Sequence, residues 1–481
     1  MAKNIFGLSG NKNELMVEKV TQLSVSDDPF ERYKLFTNMY DSNNFYQEIR
    51  KSAYQNGTYL ENIFSIANSA HRSVEFYANR LLMGATITTN DEQLKEAINI
   101  FLRDSNFDGR KDNYSREIAK LGDLFIKIKN NKSRVWQELI EAKHVSFVVT
   151  DSRGIVTEIR IDIPQGDGKW YTEYWTVDEF GNGYTAVWEN HRFGKDAELD
   201  QLGTPTFQAT LAEFGLTFIP IVYSTFTSTG KRSVNSFVHA ISKQIEGDRE
   251  HSRLAEIMYA FNNAIWSAES DGLTDKGQLI GKIDVKFIKS DDGQVIQHVK
   301  NGKLKPNIPQ LDYASHVSLI KLTKEEVMQD LPETKINSLD PSQISGRAVQ
   351  QLLGESINRA KTARNNLLHA LKRLNMMALT VGQSYGLFDK SLGNYVEGDF
   401  RHEIECDDIV PLDKTDKALM LQQLTSGGMP LKSSCRFIGM TQTEIEQVMA
   451  DRDEEDARLA MKILSNPAFT RDNNNSNNQG G

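Results

Sequence analysis

Apolar side chains recur at helical spacing over an unusual length from Ile344 to about Tyr385: Val349, Leu352, Leu353, Ile357, Ala360, Leu367, Leu368, Leu371, Leu374, Met377, Ala378 and Val381. A single helix there would extend on the order of 60 Å at 1.5 Å per residue. Few compact domains contain such an element, so the fold must be organised along a rod. The polar positions of the rod are one-sided in charge. Arg347, Arg359, Lys361, Arg364, Lys372 and Arg373 accompany one acid, Glu355. Such a face is solvated, pairs with acidic groups of a neighbouring subunit, or meets phosphate.

Upstream, two further helical stretches bracket a strand-rich insert. The first runs from Val234 to Trp266 through Ile241, Ile245, Leu254, Ile257, Met258, Phe261 and Ile265, with Gly247 inside the charged run Glu246 to Glu250 predicting a kink or a solvated face. The second runs from Tyr313 to Leu331 and stops at Pro332. Between them, from Gln278 to Pro309, Ile283, Val285 and Phe287 and then Val295, Ile296 and Val299 flank a hairpin turn at Asp291-Asp292-Gly293. A β insert between two helices must project from the end of the helical pair. The polar link from Glu333 to Gln343 contains Pro341 and reads as a loop.

The N-terminal half predicts a helix from Tyr59 to Leu82 capped by Gly84, and helices from Glu92 to Arg103 and Asn113 to Leu121 separated by a turn at Asp108-Gly109. From Gly122 the period changes to two. Leu124, Ile126 and Ile128 alternate as in a half-buried strand, followed by strands at Val145 to Thr150, Ile155 to Ile163, Trp170 to Val177 and Tyr184 to Trp188. Trp136, Trp170, Trp175 and Trp188 fall in or beside this region and read as cross-strand packing. Toward the C-terminus a helix from Lys414 to Thr425, a break at Gly427 to Pro430 and a helical stretch from Thr441 to Leu464 precede a polar tail from Asn466 that reads as disordered. The fold class is α+β.

The length of 481 residues is room for roughly three domains. A net charge of -9, from 65 acidic and 56 basic side chains, argues against a chain that grips nucleic acid over a broad basic surface, yet suits a sleeve through which it slides. Cys406 and Cys435 are too few for a disulfide framework, which points to a reducing compartment. No apolar run approaches the ~20 residues of a spanning helix, and Met1 to Gly10 lacks an apolar signal core, so neither secretion nor membrane insertion is expected. Thr225 to Ser233 contains Gly230-Lys231, but Thr225 replaces the leading glycine of a phosphate loop and Arg232 stands where Ser or Thr must hold Mg²⁺. The histidines show no HExxH spacing, His239 and His251 are too far apart to pair on a helix, and no G-x-S-x-G elbow occurs. No catalytic residue, cofactor or metal is expected.

The order of these segments resembles tailed-bacteriophage portal proteins, from Tyr59 to Leu464. "SAHRSVEFYANRLLMGATITT" (69–89) is similar to that family's N-terminal wing helix and strand, "LGDLFIKI" (121–128) to the strand that follows, and "FIPIVYS" with "GKRSVNSF" (218–237) to the passage into the first stem helix. "QISGRAVQQLLGESINRAKTARNNLLHAL" (343–371) is similar to the helix beyond the tunnel loop, and "GMTQTEIEQVM" (439–449) to the crown helices. The polar first sixty residues and the Gly-interrupted stem helix depart from the pattern.

The resemblance implies a portal-type fold with an α/β wing (1–235 and 344–412), stem helices (236–268 and 311–332), a β-rich clip (269–310), a tunnel loop (333–343), a helical crown (413–465) and a tail (466–481). It implies a dodecameric ring at a capsid vertex, assembled in the host cytoplasm. DNA would be packaged and ejected through it, and the clip would meet the terminase large subunit and later a head-completion adaptor, alongside major capsid and scaffolding proteins. The tunnel loop would present Lys335, Asn337, Ser338, Asp340 and Gln343. Glu246, Asp248, Glu250 and Glu256 would give the stem a lumen that repels double-stranded DNA, Lys282, Lys286, Lys289, Lys300, Lys303 and Lys305 would serve docking at the clip, and Arg347, Arg359, Lys361 and Arg364 would face DNA or a neighbouring subunit. The competing readings are a nucleic-acid processing enzyme with a diverged nucleotide site and a minor capsid protein without a channel.

Overall fold

A computed structural model describes residues 29–41, 68–195, 197–229, 232–262, 265–270, 284–290, 293–300, 302–307, 313–338, 346–395, 401–410, 414–440 and 442–464. These form two compact units, one drawn from residues 1–71 and 237–331 and the other from 72–236 and 332–481. The expected start of the first long helix at Tyr59 and the tail from Asn466 lie outside the described residues.

Helix α1 (Pro29–Tyr40) was not legible in the polar N-terminal stretch, although it buries Tyr33, Leu35, Phe36 and Met39. Helix α2 (Ser69–Ala78) leads to a turn closed by Gly84 at φ +65°, then strand β1 (Thr86–Thr88). Helix α3 (Glu92–Asp104) starts at Asp91, whose carboxylate accepts from the amides of Gln93 and Leu94. Helix α4 (Phe107–Leu121) begins six residues before the expected Asn113. The turn is made by Asn106, at φ +50°, a conformation asparagine tolerates, and Asp108 and Gly109 already belong to the first helical turn.

Gly122, at φ +85°, ends α4 and turns the chain into β2 (Asp123–Asn130). A Cβ there would stand 2.5 Å from the Val234 amide nitrogen, so the position admits glycine alone. Strand β2 pairs with β3 (Val135–Ile140) on one side and with β9 (Ile221–Thr225) on the other. Instead of alternating, Leu124, Phe125 and Ile126 are all buried, because β2 is the central strand and helices pack on it. Between β3 and β9 the chain forms an antiparallel sheet in sequence order: β4 (Val145–Thr150), β5 (Val156–Gly166), β6 (Lys169–Val177), β7 (Gly183–His191) and β8 (Phe207–Thr210). Trp175 and Trp188 are buried in it, as cross-strand packing requires. Strands β3 and β8 are not marked in the sequence, because the apolar residues of β3 (VWQELI) do not alternate and β8 (FQAT) is only four residues long.

In the other unit, α5 (Ile241–Asn262) is preceded by a 3₁₀ turn at Val238–Ala240. The expected span Val234 to Trp266 is too long at both ends. Residues 234–237 are not helical, and Ile265 and Trp266 enter strand β10 (Ile265–Ser270). Gly247 does not interrupt the helix and does not lie on a solvated face. It is buried within one continuous run, the intrinsic cost of about 1 kcal/mol being borne by packing. Strands β11 (Asp284–Ser290) and β12 (Gly293–Lys300) form the expected hairpin, with Ser290 opposite Gly293. Strand β13 (Gly302–Asn307) returns antiparallel to β10, placing Pro306 opposite Trp266 in a two-stranded ribbon whose open edges tolerate a missing amide donor. Helix α6 (Tyr313–Asp330) then packs beside α5, with Lys243 Nζ 2.9 Å from Asp330 Oδ2.

The expected single rod is two helices, α7 (Gly346–Leu352) and α8 (Gly354–Ser384), parted at Leu353 with φ -94° and ψ 9°. Glycine at 354, a weak helix former, sits at the break. α8 alone spans about 46 Å, and it packs on α3 and on β2, β3 and β9. Strand β14 (Glu403–Glu405) pairs with β1, and α9 (Lys414–Ser426), α10 (Leu431–Phe437) and α11 (Gln442–Leu464) close the chain.

Candidate conduit elements

α5 and α6 differ in what they bury. Along α6 Val327 is buried, while Tyr313, Val317, Leu319 and Leu322 are exposed, Leu322 to 53%. They form two exposed pairs, Tyr313 with Val317 and Leu319 with Leu322, each about one turn apart and on opposite sides of the helix. On α5, Asp248 and Glu250 are 4% and 8% exposed, and Arg249 Nη2 lies 2.6 Å from Glu246 and 3.6 Å from Glu250. Of the three expected lumen acids whose side chains are described, Glu246 has the most accessible carboxylate; the side chain of Glu256 lies outside the described residues.

The register of the ribbon and hairpin places Lys286 opposite His298, Lys289 opposite Gln294, Lys300 opposite Asp284, Lys303 opposite Glu269 and Lys305 opposite Ser267. Lys282 lies outside the described residues.

The link after α6 does not begin as a loop. Pro332–Ser338 is a 3₁₀ helix, with Lys335 half-buried and Glu333 and Thr334 buried at 2% and 3% exposure. A proline at its first position needs no amide donor there. The side chains of Asn337 and Ser338, and all of Asp340 and Gln343, lie outside the described residues. Glu333 is held at both oxygens. Ser73 Oγ donates to Oε1 at 2.5 Å and Ser356 Oγ to Oε2 at 2.8 Å. Burial first, and the Glu333 charge second, push the Tyr77 hydroxyl far above its ordinary pKa. No motif announces this cluster, since its members come from three segments distant in sequence, α2, the 332–338 helix and α8.

Three of the rod's basic residues, Arg359, Arg364 and Arg373, donate to carbonyls of their own chain. Arg364 donates to the carbonyls of Leu81 at 3.0 Å, Asp407 at 2.6 Å and Arg80 at 2.5 Å, satisfying the end of the turn that follows α2. Arg359 donates to the Ser236 carbonyl and Arg373 to that of Arg153, while Lys372 pairs with Glu403. Lys361 is exposed, and the Arg347 side chain lies outside the described residues. Nearby, buried His402 contacts the Asn375 carboxamide at 3.2 Å and is held neutral, its pKa lowered to about 4 by burial and then by Lys372.

Among the described residues no group of His, Cys, Asp and Glu could hold a metal. Burial raises the pKa of both Cys406 and Cys435, the opposite of what an activated thiolate needs. No helix among the described residues is long and apolar enough to cross a membrane.

The described residues thus make an α+β body with a long buried helix, and a helical pair joined through β ribbons. Residues 25–458 match the family described as phage portal protein, SPP1 Gp6-like, and the chain belongs to that family, which is structural rather than enzymatic. Comparison with curated proteins finds no match. Similar solved structures include a chain from the neck of an empty GTA particle computed with C6 symmetry, at 11% identity and TM-score 0.45. Another, from the virion of a native gene transfer agent particle, has 11% identity and TM-score 0.41. Each alignment covers 78% of this chain and 90% of the other.

Proposed function

We propose that this chain is one subunit of a dodecameric portal ring at a single capsid vertex, the passage for double-stranded DNA during packaging and ejection. The observation that carries the proposal is the match to the portal family over residues 25–458, and the exposed Leu319 and Leu322, one turn apart on α6, support it by offering apolar contact to a neighbouring copy. α5 and α6 form the stem, β10 to β13 the clip, residues 333–343 the tunnel loop, and α9 to α11 the crown. The clip docks the terminase large subunit, then a head-completion adaptor. Major capsid and scaffolding proteins surround the wing. DNA is contacted without sequence preference, and the net charge of -9 favours sliding over grip. Lys361 is exposed and is the first position to test for phosphate contact. No cofactor takes part, and the motor's ATPase lies on another chain.

Electron microscopy of the purified protein should show rings with a central hole, and an ATPase assay should show no turnover. Compact monomers with turnover would instead favour a nucleic-acid processing enzyme. Removing 278–309 should leave rings that fail to package DNA. Unimpaired packaging would remove the clip assignment and favour a minor capsid protein.

A further inference from the structure

The chain passes between its two compact units after His71, after Ser236 and after Leu331. Within two residues of each passage, on the side of the unit formed by 72–236 and 332–481, stands one member of a single buried hydrogen-bonded chain. Ser236 Oγ lies 3.1 Å from Ser73 Oγ, and Ser73 Oγ lies 2.5 Å from Glu333 Oε1. A hydroxyl has one proton, so Ser73 donates to the carboxylate and accepts from Ser236. Ser356, from α8, holds the other carboxylate oxygen, and Arg359, one turn further along α8, donates to the Ser236 carbonyl. Ser73, Ser236 and Ser356 are fully buried.

A buried carboxylate is costly to keep, and apolar side chains of similar volume would fill the same space without that cost. What they could not do is fix direction. Both oxygens of Glu333 are oriented by donors 260 and 23 positions away in sequence.

We infer that Glu333 is a positioning residue that clasps the three chain passages of this unit together through Ser73, Ser236 and Ser356, and so fixes the root of the 332–338 helix. Its consequence for DNA rests on the portal reading, in which that helix leads into the tunnel loop. The clasp itself does not.

The test is hydrogen–deuterium exchange on the full-length protein with Ser356→Ala, Glu333→Gln and Glu333→Ala, alongside ring counting by electron microscopy. Ser356→Ala and Glu333→Ala should raise exchange about tenfold in 72–78, 232–236 and 332–338 together, leaving β4 to β8 within about twofold of the parent. Glu333→Gln keeps one acceptor for Ser73 and offers an amide to Ser356, so it should recover part of that protection. If Glu333→Ala does not fold, Ser356→Ala decides. An unchanged pattern, a rise confined to 332–338, or a uniform rise that includes the sheet would overturn the clasp. Parent protein that forms no rings would count against the portal reading and leave the exchange result standing.

Discussion

Helices α6 and α8 belong to different units and answer differently to the same question, namely where their apolar side chains go. α8 buries Ala360, Ala363, Leu367, Leu371, Leu374 and Leu379 among others, against strands and helices of its own unit. α6 has comparable apolar content and buries Val327, with Leu319 and Leu322 in solvent. Most helical stability in proteins comes from packing an apolar face. α8 is completed by its own unit, whereas α6 leaves Leu319 and Leu322 exposed among the described residues.

The strongest way to break this contrast is to excavate α8. Leu374→Ala should cost about 3 kcal/mol or more, as fully buried leucines do, and chemical denaturation measures it. A loss below about 1 kcal/mol would mean that α8 is not a core element. Acid should act on the same helix through His402. Its folded pKa of about 4 lies below the ordinary value of 6.5, so the unfolded chain takes up the proton first. The stability this neutral residue contributes is therefore complete above pH 6.5 and declines as pH falls toward 4, by about 3 kcal/mol in all. Subtracting the unfolding profile of His402→Gln isolates that slope, and parallel profiles would refute it.

Arg364→Ala, which strips three carbonyls of a charged donor, should cost about 2 kcal/mol. Arg364→Lys should recover little, since one ammonium cannot replace the planar fork. The smallest effect on the unassembled chain belongs to α6. Leu322→Ser should change its unfolding free energy by less than about 0.5 kcal/mol. In light scattering coupled to size-exclusion chromatography the same change should shift rings toward monomers, and rings of undiminished stability would show that α6 is bare for another reason.

The contrast also marks what the sequence could disclose. Apolar periodicity located α8, the hairpin of β11 and β12, and most of the five-stranded sheet, because each is encoded by neighbours. It placed the start of α4 wrongly because Asp108-Gly109 looks like a turn, while Asn106 bends the chain. It carried α5 through Trp266 because Ile265 and Trp266 continue a helical stripe, and pairing with β13, some forty residues later, overrides that local preference. The roles of Arg359 and Arg364 were hidden for a related reason. Their partners are main-chain carbonyls, and a carbonyl has no letter in the sequence.

Strand β2 meets β9 about a hundred residues later, and the whole sheet of β4 to β8 lies inside that loop, each strand joined to its predecessor. Closing a long loop costs entropy before its contacts form, so neighbouring pairings should come first in time. The sheet can assemble as a chain of hairpins while Gly122 still awaits Val234. Pulsed exchange labelling during refolding should protect Thr172 to Thr176 before Leu124 to Ile126, and the reverse order would mean that the closing contact nucleates the fold.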